Sequence, residues 1–522
     1  MGHDIRLMRL RLLAISPPLI LSAYAVLVFL SGNITQIEIR EILPILGKVI
    51  VGTSLCIAML ALVLRDAKKV GIIGSLIVIF VLFYGQIYAV YDYFLGGSSW
   101  VKLFFPACTL LFIVTAWFCT RTDDRTQLFS TLVLVISVIL ISVPTFHIVR
   151  YQLFERANYV EYNKNESVAL NKELGEYSTK RSIYYLIFDR YAANRTLKRD
   201  YEFDNNDFLS FLISKGFFVA SESTANYTKT AHSLASSLNM DYLDGLSEDT
   251  GGDSNDWTPV YRMLKDFKVW KLLKGFGYRY IHLGSWWEPT RQNKFADENY
   301  GIDPASEFEQ IFLRNTALLP VSKVVDMPGF LAADERKKQC ERILYKFEKL
   351  NELAGQKGPF FVFAHMLIPH PPYVFDAKGR CLSGNQVKDR TRAENYIGQV
   401  RYTNGRLEQL ITRLLSMNPK PIVIIQSDEG PFPERYRESV DNFDWRSASK
   451  KELQKKFRIL NALYLPGFDH RKLYAQMTPV NTFRLIFSEY YGLDYKRLPD
   501  RSLSFVDANH LYDFFDVTKA VE

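Results

Sequence analysis

The first 150 residues are dominated by apolar runs, at 12–30, 42–64, 70–90, 100–119 and 128–149. At roughly 20 residues each, all five are long enough to cross a bilayer as helices. Their connections are short. The first run is too long for a removed signal peptide and lacks its small-residue cleavage site. Residues 150–181 are polar and helix-compatible without a core pattern, which predicts a juxtamembrane linker. From Ser182 the pattern changes to short β-rich runs, "IYYLIF", "FFVA", "YRYIHL", "FFVFAH", "PIVIIQ" and "LNALYL". Helical periodicity separates them, at 206–215, 230–239, 261–276, 335–353, 393–415 and 482–491. Apolar strands without alternation, spaced by helices, predict a mostly parallel α/β sheet covered by helices on both faces. The expected organisation is a five-helix transmembrane domain (1–150), a linker (151–181) and a second domain (182–522).

Charge adds orientation. Arg6, Arg9 and Arg11 precede the first run. Arg65, Lys68 and Lys69 lie in the second connection, and Arg121 and Arg125 in the fourth. The first connection is net acidic and the third has no basic residue. Basic ends therefore gather on one face, expected to be cytoplasmic, and an odd number of crossings puts everything after Val149 on the far side. Lys48, Lys102 and His147 are the ionisable residues inside the runs, all near run ends where they can snorkel. Without a mid-span ionisable group, a transporter has no support. The net charge of +8 over 522 residues comes without a long basic run or an aromatic-basic stripe, which argues against nucleic acid. The five cysteines lack zinc-finger spacing. Cys56, Cys108 and Cys119 lie in apolar runs as small hydrophobes. Cys340 and Cys381 are free to pair if their half sits in an oxidising compartment.

In a parallel sheet, ligands bind beyond the carboxyl ends of the strands. "IYYLIF" ends in Asp189, and "PIVIIQS" ends in Asp428 and Glu429. Taken singly, Asp189 reads as a turn or helix-capping residue and "DEG" as a loop. Together they deliver three carboxylates to one edge, a crowding that a divalent cation would relieve. Thr230 opens the helical stretch "TAHSLASSLN", where unpaired N–H groups and the dipole favour an anion. Alone it reads as an N-cap, and Thr228 is the neighbouring candidate. His365 and His370, two of eight histidines, follow a strand in "FFVFAHMLIPHPPY", with prolines stiffening the backbone around His370.

These pieces, in this order, resemble the alkaline phosphatase/sulfatase superfamily over about 182–498, with "LYLPG" as a further similarity. A five-helix anchor plus an outward domain resembles its membrane-anchored branch, the lipoteichoic acid synthases and lipid A phosphoethanolamine transferases. The resemblance implies a metal held by Asp189, Thr230, Asp428 and Glu429, with Thr230 as nucleophile. It implies His370 as a catalytic residue on the substrate side, protonating the departing oxygen or binding the non-bridging oxygens, and His365 beside it is read as substrate-binding. "HLGSWWEPTR" is similar to the segment offering His282, Trp287 and Arg291 to the phosphoryl group. The implied activity moves a phosphoryl-alcohol group, such as phosphoethanolamine or phosphoglycerol, from a membrane phospholipid donor to an envelope glycan or lipid acceptor. Its alternatives are a surface phosphodiesterase or phosphatase and a catalytically inactive glycan-binding module. The family's Asp-His-Gly is Asp-Glu-Gly here, and the sulfatase Cys/Ser-x-Pro-x-Arg is absent, which argues against sulfate-ester hydrolysis. The resulting all-oxygen set suits Mg²⁺, Mn²⁺ or Ca²⁺ rather than Zn²⁺.

Overall fold

A computed structural model describes residues 2–95, 101–121, 126–155, 180–303, 305–318, 321, 335–438, 440 and 443–522. The chain divides into two compact units. One comprises Met1–Arg156 with Asp303–Ala333, the other Ala157–Ile302 with Asp334–Glu522.

The first unit is helical. Its apolar runs form α1 (Gly2–Ile15), α2 (Pro17–Ser31), α3 (Ile39–Leu64), α4 (Ala67–Leu82), α5 (Tyr84–Leu95), α6 (Val101–Arg121) and α7 (Thr126–Arg150). Pro17 and Pro18 open α2, where a missing N–H costs nothing. Asp66 caps α4 by accepting from the Lys68 N–H at 2.8 Å. Among the described residues three helical stretches are long and apolar enough to cross a membrane, Met8–Ser31, Ile39–Leu64 and Thr126–Phe154. A fourth is reached if Ala67–Leu82 and Tyr84–Val90, bent by 63°, count as one span. The five predicted crossings are thus three or four by this measure. The third run breaks at Phe83, and the apolar stretch described in α6 is only Pro106–Thr115. Most of the predicted 151–181 linker lies outside the described residues.

The second unit is built on a seven-stranded sheet in the order β2-β7-β6-β1-β5-β3-β4. The strands are β1 (Ile183–Phe188), β2 (Phe218–Val219), β3 (Arg279–Leu283), β4 (Glu298–Tyr300), β5 (Phe360–Met366), β6 (Ile422–Gln426) and β7 (Asn461–Tyr464). All pairings are parallel except those that β7 makes with β2 and β6. The continuous apolar strands are explained by burial on both faces. Tyr184, Leu186 and Phe188 pack with Ile343, Phe347 and Val400 on one side. Ile183, Tyr185 and Ile187 pack with Leu234, Phe483 and Ile486 on the other. Each such side chain contributes roughly 1.5–3 kcal/mol by leaving water. A disulfide joins Cys340, on the helix Glu335–Leu353, to Cys381 in the chain after β5. The C-terminal segment forms a ribbon, β8 (Leu503–Phe505) with β9 (Phe514–Asp516).

Candidate active site

The three central strands, β5, β1 and β6, run parallel and end together. The register pairs Ile187 with both His365 and Gln426, so residues just beyond Ile187 and Gln426 emerge beside His365. Asp189 follows β1 and is fixed by its N–H donating to the Met366 carbonyl at 3.0 Å. Ligand atoms of Asp189, His365 and Asp428 lie within 4.8 Å of one another, and all three residues are buried. Oδ1 of Asp189, both carboxylate oxygens of Asp428 and Nε2 of His365 have no hydrogen-bond partner among the described residues. Burying such atoms unpaired is costly, so their convergence fits a cation bound between them. Burial first, and then repulsion from Asp428, raises the Asp189 carboxyl well above its usual range. Burial and Glu429 raise Asp428 to about 7.

His365 is oriented for this role. Its Nδ1 pairs with Thr290 Oγ1 at 2.8 Å, leaving Nε2 toward Asp189 Oδ2 at 4.0 Å. Burial, with Lys346 nearby, holds the ring well below its ordinary pKa, hence neutral. A neutral imidazole whose other nitrogen is engaged is the usual form of a metal-binding histidine.

Glu429 behaves differently from its expected role. Its Oε1 is taken by Lys456 at 2.8 Å and Arg190 at 3.2 Å, while Oε2 has no hydrogen-bond partner among the described residues. Burial would raise this carboxyl, but Lys456, Arg190 and Lys229 hold it below its ordinary value. The charge crowding at Asp428-Glu429 is therefore relieved on the Glu429 side by the chain's own cations. The set that converges contains a nitrogen, His365, so the all-oxygen argument for a hard cation does not hold.

Thr230 is the first residue of the helix Thr230–Asn239 and is only partly buried. It lies near enough to Asp428 to favour that carboxylate's charged form. The loop before it is braced from several sides. Asn226 accepts from the Val480 N–H at 2.8 Å, and its own carbonyl accepts from Leu503 of β8 at 2.8 Å. Ser233 donates to the Tyr227 carbonyl at 2.9 Å. Thr228 is fully buried, with its hydroxyl 3.3 Å from Ser504 Oγ.

His370 Nε2 also lies 4.0 Å from Asp189 Oδ2, and the side chain keeps 19% of its surface exposed. Burial and Arg190 hold it well below its ordinary pKa. Trp287 meets the His365 ring edge to face at 6.0 Å. His282 and Arg291 do not present free groups there. His282 has Tyr280 OH on Nδ1 at 2.9 Å and the Thr290 carbonyl on Nε2 at 2.8 Å, and burial lowers it to about 4. Arg291 Nε is held by Glu288 at 2.7 Å.

Sequence reasoning missed the cations. Arg190, Lys229 and Lys456 place their charges 4.3, 4.5 and 3.3 Å from the centre of the Phe432 ring. Lys229 also bonds Tyr436 OH, and burial lowers it to about 8. Adjacency to Asp189 and Thr230 was the available signal for Arg190 and Lys229. Lys456, in the charged helix Lys450–Phe457, looks like a solvated lysine until it is found fully buried.

Among solved structures, the chain is similar to the zinc complex of the C-terminal periplasmic domain of EcEptC from Escherichia coli. That match has 13% identity over 63% of this chain and 90% of that one, with a TM-score of 0.42. It is also similar to the C-terminal periplasmic domain of phosphoethanolamine transferase EptC from Campylobacter jejuni, at 12% over 63% and 99%, TM-score 0.36. A protein in the alkaline phosphatase superfamily from Vibrio parahaemolyticus is matched at 14% over 63% and 74%, TM-score 0.38. No curated protein matches. Residues 200–485, more than half of the chain, match the family model named Sulfatase, and the chain belongs to that family.

Proposed function

We infer that this protein is a membrane-anchored, metal-dependent phosphotransferase. It moves a phosphoryl-alcohol group from a phospholipid donor to an envelope glycan or lipid acceptor through a phospho-threonine intermediate. The observation that carries this reading is the convergence of unpartnered polar atoms from Asp189, His365 and Asp428 beside a partly exposed threonine at a helix start.

A divalent cation held by Asp189, His365 and Asp428 would supply the charge that lowers the pKa of the Thr230 hydroxyl and offsets charge on the phosphoryl oxygens. With one nitrogen among the three ligands, Zn²⁺ and Mn²⁺ both suit the set. Arg190 and Lys229 add positive charge to draw an anionic headgroup. Thr230 Oγ attacks phosphorus, the bond to the lipid alcohol breaks, and that alcohol takes up the proton Thr230 releases. His370, neutral and partly exposed, then serves as base for the acceptor hydroxyl. The acceptor oxygen bonds to phosphorus as the bond to Thr230 breaks, and Thr230 regains a proton. His370 is better suited to accepting a proton than to donating one to the departing lipid.

The site belongs to a domain on the outer side of the membrane. Counting the 21-residue α6 as a span makes the number of crossings odd, which with the basic connections on the cytoplasmic face puts the second unit outside. The Cys340–Cys381 disulfide fits an oxidising compartment.

Thr230→Ala is expected to lower lipid turnover by at least about 1,000-fold while leaving the unfolding temperature and its rise with added metal unchanged. Full activity in that variant would overturn the assignment. Release of free phosphoryl-alcohol with no modified acceptor would make water the acceptor, and the protein a phosphodiesterase.

A further inference from the structure

Residues 305–317 lie in sequence between β4 and β5, yet they pack within the helical unit. They carry the helix Glu307–Arg314, capped by Ser306. Phe308 and Phe312 are buried against Phe29, with ring centroids 5.2 and 6.1 Å away. Glu309, also buried, bonds Lys48 Nζ at 2.5 Å. These partners sit near the end of α2 and in the first half of α3.

The segment then enters the break between α4 and α5. In a continuous helix the Gly85 N–H would donate to the Val81 carbonyl, four residues back. Here the Gly85 N–H donates to the Asn315 carbonyl at 2.7 Å, and the Val81 carbonyl accepts from the Ala317 N–H at 2.8 Å. Backbone from a segment between β4 and β5 is thus spliced into the helix ladder, an identifiable cause for the 63° bend. In a bilayer, where a freed backbone group has no water to turn to, this substitution satisfies both groups. It also explains Gly85, since a Cβ there would stand 2.6 Å from the Asn315 carbonyl oxygen.

We propose that residues 305–317 are a docking segment that packs into the helical unit and keeps α4–α5 bent. When the segment is released, the Gly85–Val81 hydrogen bond re-forms and the helix straightens. This holds whatever reaction the site performs.

The test uses the full chain in lipid nanodiscs, with Cys56, Cys108 and Cys119 replaced by Ser and spin labels on Lys68→Cys and Val90→Cys. At 1.5 Å per residue the straight helix separates these positions by about 33 Å, and the bend shortens that by about 4 Å. The unsubstituted segment should give the short distance. Gly85→Ala, which blocks the splice, and Glu309→Lys should both give the long one. Lys48→Glu combined with Glu309→Lys should restore the short one. A long distance in the parent chain, or a short one in both single variants, would overturn the proposal. A second measurement needs no destabilising change. Lys48→Cys and Glu309→Cys are bridged by a short bis-maleimide, and the chain is then cut at a protease site placed within 156–179. One band on a denaturing gel supports docking, and two bands refute it.

Discussion

Asp428 and Glu429 are neighbours in the chain, but their electrical surroundings differ. Glu429 is balanced by Lys456 and Arg190, whereas Asp428 lies beside Asp189 and His365 and has its pKa raised to about 7. A carboxyl raised above its unfolded value contributes stability at low pH, and that contribution is lost as pH rises through about 7. A cation binds the charged form, so its effect runs the other way. Mn²⁺ or Zn²⁺ should raise the unfolding temperature more at pH 8 than at pH 6, with apparent affinity falling up to about tenfold per pH unit below 7. The midpoint belongs to the Asp189–Asp428 pair. Thermal scans at the two pH values check this, and an equal shift at both would contradict it. The same residues show why the ligand set was only partly legible. Adjacency put Asp428 and Glu429 together, but it could not say that a lysine 27 positions after Glu429 would claim one of them.

At the scale of elements, the helix Lys450–Phe457 contributes a fully buried ammonium to a fully buried carboxylate. Removing one partner leaves the other uncompensated. Lys456→Met should cost roughly 3–5 kcal/mol, and Glu429→Met with Lys456→Met should cost less than the sum of the two single changes. Denaturant unfolding of the four chains measures this, and strict additivity would show that the pair is not coupled. Strands were legible at this scale because β1, β5 and β6, buried on both faces, read as unbroken apolar runs. His365 was read as substrate-side because strand register is invisible in a sequence. Its pairing opposite Ile187 is what turns it toward Asp189. The helix Glu307–Arg314 was missed because its partners, Phe29 and Lys48, lie more than 250 residues earlier.

At the scale of the molecule, the chain leaves the sheet unit after β4, contributes a helix to the membrane unit and returns. By this division the chain passes between the two units three times. The Cys340–Cys381 bond ties the returning helix to the chain that follows His370. Closing a loop of 41 residues stabilises by about 4 kcal/mol in the chain-entropy picture. Reduction should lower the unfolding temperature of the second unit, and an unchanged temperature would show that the bond constrains nothing.

The most direct test is peptide mass spectrometry of the metal-loaded full chain after incubation with phospholipid vesicles. The account predicts a phosphoryl-alcohol adduct on Thr230, present in the unsubstituted chain and absent in Asp428→Asn. Lipid turnover with Thr230 unmodified and the adduct on another residue would contradict it.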